Sequence, residues 1–141
     1  MNPRQIIIDS SVAIKWYLPD EFSDSDLKIK SAFAKGTILI AVPLLFFYEI
    51  NNILRTTIKN LRITREASVR AYQDLLELNF TSYSSKELFK MALEKALVLD
   101  ITSYDASYVC LAEYLQTPFF TADEKLVKKA SDKLVRFVED Y

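Results

Sequence analysis

Four acids in this chain of 141 residues, Asp9, Glu49, Asp105 and Asp123, stand where a charged pocket could be assembled. Asp9 follows the apolar run Ile6-Ile7-Ile8 and precedes Ser10-Ser11-Val12-Ala13. Asp123 follows Phe119-Phe120-Thr121-Ala122 near the other end of the chain. Both read as acids delivered at a strand end just as a helix begins, and in open α/β sheets ligands gather at the carboxyl ends of strands. Glu49 lies three residues after Phe46 and four before Ile53, offsets that share a helix face, so it sits on or beside the stripe facing the sheet. An unpaired carboxylate there is costly or takes up a proton. Asp105, in Thr102-Ser103-Tyr104-Asp105-Ala106, falls in the first turn of a helix. Together the four describe an anionic pocket, for which a hard divalent cation is the simplest counter-charge.

Each acid also has a purely structural explanation. Asp9 is a favoured helix N-cap. Thr102 and Asp105 have the spacing of a capping box, and a first-turn acid complements the helix dipole. Thr121 and Glu124 have the same spacing, which assigns Glu124 to the cap and leaves Asp123 free to point back over the strand end.

The absences narrow the chemistry. Without histidine there is no imidazole base, no histidine-bound metal and no Ser-His-Asp triad. Gly36 is the only glycine, so no glycine-rich loop cradles a phosphate. Catalysis would fall to carboxylates, hydroxyls, amines or an oxygen-held metal. The single Cys110 excludes an internal disulfide, fits a reducing compartment and reads as an inert core thiol. The net charge of −1 points to no partner. The longest apolar stretch, Thr37 to Tyr48, is too short to span a bilayer and contains Pro43, and Met1-Asn2-Pro3-Arg4 does not resemble a signal peptide. A cytoplasmic location without membrane contact is the expectation.

The elements that must position these acids alternate. A strand over about Gln5 to Ile8 feeds a helix from Ser10 to about Leu18, broken at Pro19-Asp20-Glu21, and a second helix runs to Lys35, where Gly36 ends it. Thr37 to Val42 reads as a strand, with Pro43 in the first turn of a long helix spanning about Leu44 to Asn60. Thr64 caps the next helix, Asn79 to Tyr83 reads as a strand, and Ser84 or Ser85 caps a helix through Leu97. Ser103 to Leu115 is a helix, Phe119 to Thr121 a strand, Glu124 to Ala130 a helix and Val135 to Val138 an edge strand. This alternation predicts one α/β domain over residues 1–141, three layers deep, with a short, mostly parallel sheet covered by helices on both faces.

The chain resembles the PIN-domain nucleases, in particular the VapC-type toxins of toxin–antitoxin pairs. The resemblance runs through Ile8-Asp9-Ser10-Ser11-Val12-Ala13 with Lys15-Trp16-Tyr17-Leu18-Pro19, and through Pro43-Leu44 and Tyr48-Glu49-Ile50-Asn51-Asn52. It continues in Thr102-Ser103-Tyr104-Asp105-Ala106-Ser107-Tyr108 and in Phe120-Thr121-Ala122-Asp123-Glu124-Lys125-Leu126. It implies a metal-dependent endoribonuclease in which Asp9, Glu49, Asp105 and Asp123 hold one or two Mg²⁺ or Mn²⁺ ions. Those ions would relieve the mutual repulsion of the acids and activate water for in-line attack on an RNA phosphodiester. Ser10 and Thr121 are expected to orient the carboxylates from outside. An aspartyl-phosphate phosphatase would need a second aspartate where Ser11 stands. The alternative reading is an inactive PIN fold kept for RNA or protein binding, against which retention of four self-repelling acids argues.

Two surface expectations follow. Arg55, Lys59 and Arg62, four and three residues apart on a helix leading away from Glu49, are candidates for tracking an RNA backbone. Leu44 through Tyr48 are five consecutive apolar residues on a helix, more than one contact with a sheet can bury. That predicts a homodimer in which this helix or its neighbour packs on its symmetry mate, and the resemblance adds a VapB-type antitoxin whose tail covers a nearby apolar groove.

Overall fold

The computed structural model describes residues 2–18, 21, 23–60 and 62–141. The chain begins with β1 (Arg4–Ile8), α1 (Ser10–Ala13), a 3₁₀ turn (Ile14–Tyr17), α2 (Asp24–Ala34) and β2 (Ile38–Pro43). Helices α3 (Leu45–Lys59) and α4 (Arg65–Glu77) lead to β3 (Thr81–Tyr83). Then come α5 (Lys86–Leu99), α6 (Ser103–Leu115), β4 (Phe119–Thr121), α7 (Glu124–Ala130), β5 (Val135–Phe137) and a closing 3₁₀ turn, Val138–Asp140.

The strands form one sheet in the order β3-β2-β1-β4-β5, and every pair is parallel. From β1 the chain steps outward to β2 and β3, then returns past β1 to β4 and β5. With right-handed crossovers this puts α2, α3 and α4 on one face and α5, α6 and α7 on the other. Consistently, α6 lies across β1, β2 and β4 while α2 and α3 pack on β2. A parallel sheet covered on both faces needs strands apolar throughout. Ile6, Ile7 and Ile8 of β1 and Phe119 of β4 are wholly buried. The direction of winding reverses between β1 and β4, so the crevice beyond their carboxyl ends is where such a fold admits a ligand.

Local chemistry explains most boundaries. Ser23 and Asp26 form a reciprocal capping box at the start of α2, and Thr64, Ser85 and Thr102 cap α4, α5 and α6. Gly36, with φ of 72°, follows α2 in the left-handed conformation that glycine adopts without strain. The expected first helix is shorter than its pattern suggested, with one α-turn passing into the 3₁₀ turn. The break expected at Pro19-Asp20 lies outside the described residues.

Pro43 corrects the sequence reading. It does not open α3 but ends β2, opposite Tyr83 of β3. The ladder bond at that point is donated by the Leu44 N–H to the Tyr83 carbonyl, 3.0 Å away, so proline's missing donor is not needed there.

An aromatic cluster fixes the start of α3. Phe46 and Phe47 contact Phe80, which also meets Trp16 and Phe33, with ring centroids 4.9 to 6.4 Å apart. Of the run Leu44 to Tyr48, Phe46 is fully buried, Leu45 and Phe47 are half-buried, and Leu44 and Tyr48 face outward. This anchoring turns Glu49 toward the sheet ends. Phe46→Ala is therefore expected to cost about 3–5 kcal/mol in urea unfolding, and Tyr48→Ala no more than about 0.5 kcal/mol. Equal losses would mean that α3 presents a different face.

Candidate active site

Asp9 caps α1 from the end of β1 and is buried, with 7% of its surface exposed. Its Oδ1 accepts from the Ser11 backbone N–H at 3.1 Å and from the Ser11 hydroxyl. Its Oδ2 accepts from the Thr121 hydroxyl at 2.6 Å. Both hydroxyls also accept: Ser11 Oγ from the Ala122 N–H and Thr121 Oγ1 from the Asp123 N–H, each at 3.1 Å. The buried acid is thus tied through two hydroxyls to the turn that carries Asp123. The donor from the first turn of α1 is Ser11 and not Ser10, the residue expected from the sequence.

Asp123 corrects a second expectation. It is itself the N-cap of α7, its Oδ1 accepting from the Leu126 N–H at 3.1 Å. Thr121 and Glu124 form no capping box: Thr121 ends β4, its hydroxyl oxygen accepts from the Asp123 N–H, and α7 begins only at Glu124. Glu124 is exposed in the first turn.

Glu49 is half-buried on α3, and its Oε1 accepts from the Tyr108 hydroxyl of α6. Tyr108 is 1% exposed and stacks on Phe119 of β4, with centroids 5.4 Å apart, so its hydroxyl is rigidly aimed. Asp105, half-buried in the first turn of α6, shares a cleft of about 450 Å³ with Asp123, Lys125 and Lys129.

The four acids interact through charge. Burial pushes Asp9 up from 3.8 to about 6 despite its hydroxyl donors, and Asp105 pushes in the same direction. Burial also raises Glu49, opposed by the Tyr108 hydroxyl and reinforced by Asp9 and Asp105. Asp105 is raised by burial and then by Asp123. Among the described residues, none of the four is engaged in an ion pair. An all-oxygen, anionic donor set of this kind suits Mg²⁺ or Mn²⁺. Among the described residues no three of these acids close around a single point. The arrangement is an open anionic pocket rather than a finished coordination cage.

Tyr108, Ser11 and Lys125 were not singled out from the sequence. Lys125 and Lys129, one helical turn apart beside Asp123, carried a readable signal in their spacing. The Tyr108 contact spans 59 residues and carried none. Arg55 and Lys59 are exposed on α3, whereas Arg62 lies past its end and pairs with Glu21. Cys110 is buried and its thiol is pushed up to about 11 by burial, so it stays protonated and inert.

Comparison with known proteins shows the family to which the chain belongs. The family model described as "PIN domain" matches residues 6–132. Ribonuclease VapC3 of Pyrobaculum aerophilum is 29% identical over 130 residues, 89% of this chain and 94% of that protein. A crystal structure of a Pyrobaculum aerophilum protein superposes with a TM-score of 0.70 at 24% identity, covering 99% of this chain and 94% of the other. That superposition shows a shared fold, in agreement with the parallel three-layer architecture.

The electrostatics give a stability signature. An acid held at about 6 in the fold but at 3.8 when unfolded binds more protons in the folded state between those values. Its contribution to stability is complete below about pH 4 and is lost as pH rises through 6. Without divalent metal, the Asp9 contribution is expected to fall by on the order of 2–3 kcal/mol between about pH 4 and pH 7. Asp9→Asn should remove that slope and leave the metal-free protein equally or more stable at about pH 7. Urea titrations across this range decide it; a variant with an unchanged pH slope would show that Asp9 is not the strained group.

Proposed function

The chain belongs to the PIN domain family, and from that premise we propose that it is a Mg²⁺- or Mn²⁺-dependent endoribonuclease, the toxin of a toxin–antitoxin pair. The observation that carries this reading is the crowding of Asp9, Glu49, Asp105 and Asp123 at the β1–β4 switch point, with none of them paired to a lysine or arginine among the described residues. The name of the relative, Ribonuclease VapC3, supports RNA as substrate and a VapB-type antitoxin as partner. Residues 1–141 act as one nuclease domain. No helix of the described residues is long and apolar enough to cross a membrane, and the reading places the protein in the cytoplasm.

Asp9, Glu49, Asp105 and Asp123 would hold one or two ions. When bound, such ions supply charge opposite the phosphate and make water more acidic. The chain's own residues do the rest. Ser11 and Thr121 keep both oxygens of Asp9 fixed, Tyr108 aims Glu49 and stays protonated, and the bond from the Leu126 N–H fixes the Asp123 carboxylate at the start of α7. Arg55 and Lys59 on α3, with Lys125 at the cleft rim, attract the RNA backbone; Arg62 contributes less because Glu21 already engages it.

Asp9→Asn and Asp123→Asn are expected to abolish cleavage of single-stranded RNA while leaving binding measurable, and a chelator should silence the wild type. Arg55→Glu with Lys59→Glu should weaken binding across sequences and reduce the salt slope by about 1–2. Near wild-type cutting by the Asn variants, or activity surviving the chelator, would overturn the metal mechanism.

The reading extends to a homodimer, and the outward stripe of α5 supports it. Leu93, Leu97 and Val98 are 57%, 76% and 80% exposed, a patch unusual on a monomer's helix. The predicted involvement of α3 is narrower than its sequence suggested, since Phe46 is used in the core. Light scattering at micromolar concentration should give about twice the 16.3 kDa chain mass, and Leu93→Glu with Leu97→Glu should return it to one chain. A monomeric wild type would reject the dimer.

A further inference from the structure

A second cleft, of about 370 Å³, adjoins the acid pocket and has no charged residue in its lining among the described residues. Leu88 and Leu111 contribute apolar surface, and Tyr48 and Tyr104 stand in it with 76% and 65% of their surface exposed. Its relation to the acids is set by helix geometry. Tyr48 precedes Glu49 on α3; on α6, Tyr104 precedes Asp105 and Ser107 precedes Tyr108. In each pair the first residue lines the uncharged cleft, while the second belongs to the acid pocket as a carboxylate or as the tyrosine that holds one. Successive residues on a helix are turned by about 100°, so the N-terminal halves of α3 and α6 form a shared wall with different chemistry on its two sides.

From this juxtaposition we propose that the cleft receives one unpaired nucleobase of the RNA, held against Tyr48 and Tyr104, while its own backbone crosses the shared wall to the carboxylates. The proposal rests on the ribonuclease reading and deepens it by naming single-stranded RNA with an unstacked base beside the scissile bond. Three features favour a base as occupant. The cleft carries no cation, which suits a neutral ring and not a phosphate. Exposed aromatic faces are the usual platform for splayed bases and tolerate any sequence. The rim hydroxyls of Ser84, Ser103 and Ser107 can meet the polar edges of a base. The cleft adjoins the acids through three pairs of neighbouring residues, so the base and the phosphate of one nucleotide would meet the two sides of a single wall.

The test uses the full-length protein and two readouts. In the first, Asp123→Asn protein is mixed with a short single-stranded RNA carrying 2-aminopurine at successive positions, and fluorescence quenching is recorded. One position should be strongly quenched, and Tyr48→Ala or Tyr104→Ala in the same background should lose most of that quenching. Tyr→Phe at either place should keep it. In the second, wild-type background enzymes cut the same RNA. Each Ala substitution should raise KM by roughly 5- to 100-fold with kcat nearly unchanged, and an abasic nucleotide at the quenched position should erase the difference from wild type. RNA cut normally by the Ala variants, with no quenching anywhere, overturns the base cleft and leaves the nuclease standing. Quenching by a protein that never cuts RNA supports the cleft and overturns the nuclease. If the Ala variants instead lose activity together with dimer mass in light scattering, the cleft is occupied by a second copy of the chain and the base proposal is wrong.

Discussion

A carboxylate buried at the end of a central strand sets the terms for everything around it. Asp9 cannot relax toward water, because β1 is flanked by β2 and β4 and its end is roofed by α1. Its oxygens must be met from within, and the two hydroxyls that meet them come from opposite ends of the sequence. A hydroxyl that donates to Asp9 still has lone pairs, and both use them to accept backbone N–H groups of the β4–α7 turn. The result is a closed relay in which placing Asp9 also places Asp123. The short strand β4, three residues long, owes its position as much to this relay as to its ladder.

Stability alone would not choose this arrangement. Hydrogen bonds to a buried carboxylate lower its proton affinity, yet here burial and neighbouring acids outweigh them and the balance lies on the raised side. A lysine or arginine within bonding distance would relieve the strain, and the chain has 18 such residues. Among the described residues none does so: Lys125 stands at the rim, while Lys129, Arg62 and Lys95 are committed to Asp100, Glu21 and Glu113. Uncompensated charge at a topological switch point is what a functional site looks like when the rest of the fold is locally consistent.

How far the sequence revealed this depended on the range of the deciding contact. The strands and helices were legible because apolar runs, N-caps and Gly36 act locally. Three of the acids were readable because each sits at a strand–helix junction or in a first turn, and Glu49 because its offsets from Phe46 and Ile53 share a helix face. What failed was arbitration between local patterns. Proline in a first turn is common, and only pairing with Tyr83 shows that Pro43 belongs to β2. A Thr121–Glu124 capping box is sound by spacing, and only the pairing of Thr121 with Phe137 of β5 shows that the strand runs through it and the helix starts later. With Thr121 in β4, Asp123 is the residue immediately before α7 and caps it. Ser10 and Ser11 differ by a single step around α1, a rotation that no pattern of residue types fixes.

The same rotation has a constructive use at the wall between the two clefts. A helix gives neighbouring residues different faces, so a single turn can serve two environments when one residue is charged and the one before it aromatic. The N-terminal half of α3 does this with Tyr48 and Glu49, held in register by Phe46 in the aromatic cluster, and that of α6 does it with Tyr104 and Asp105, held by the Thr102 cap. Because each tyrosine shares its backbone with an acid, the spacing between apolar cleft and carboxylates is fixed by covalent geometry rather than by loop conformation. On the proposed nuclease reading, precision of that kind is what the reaction would require, since a reacting group misplaced by about 1 Å can lose on the order of 100-fold in rate. The dense core beneath the wall, built on Phe46, Tyr108 and Phe119, is therefore part of the site's positioning even though none of its rings needs to touch substrate.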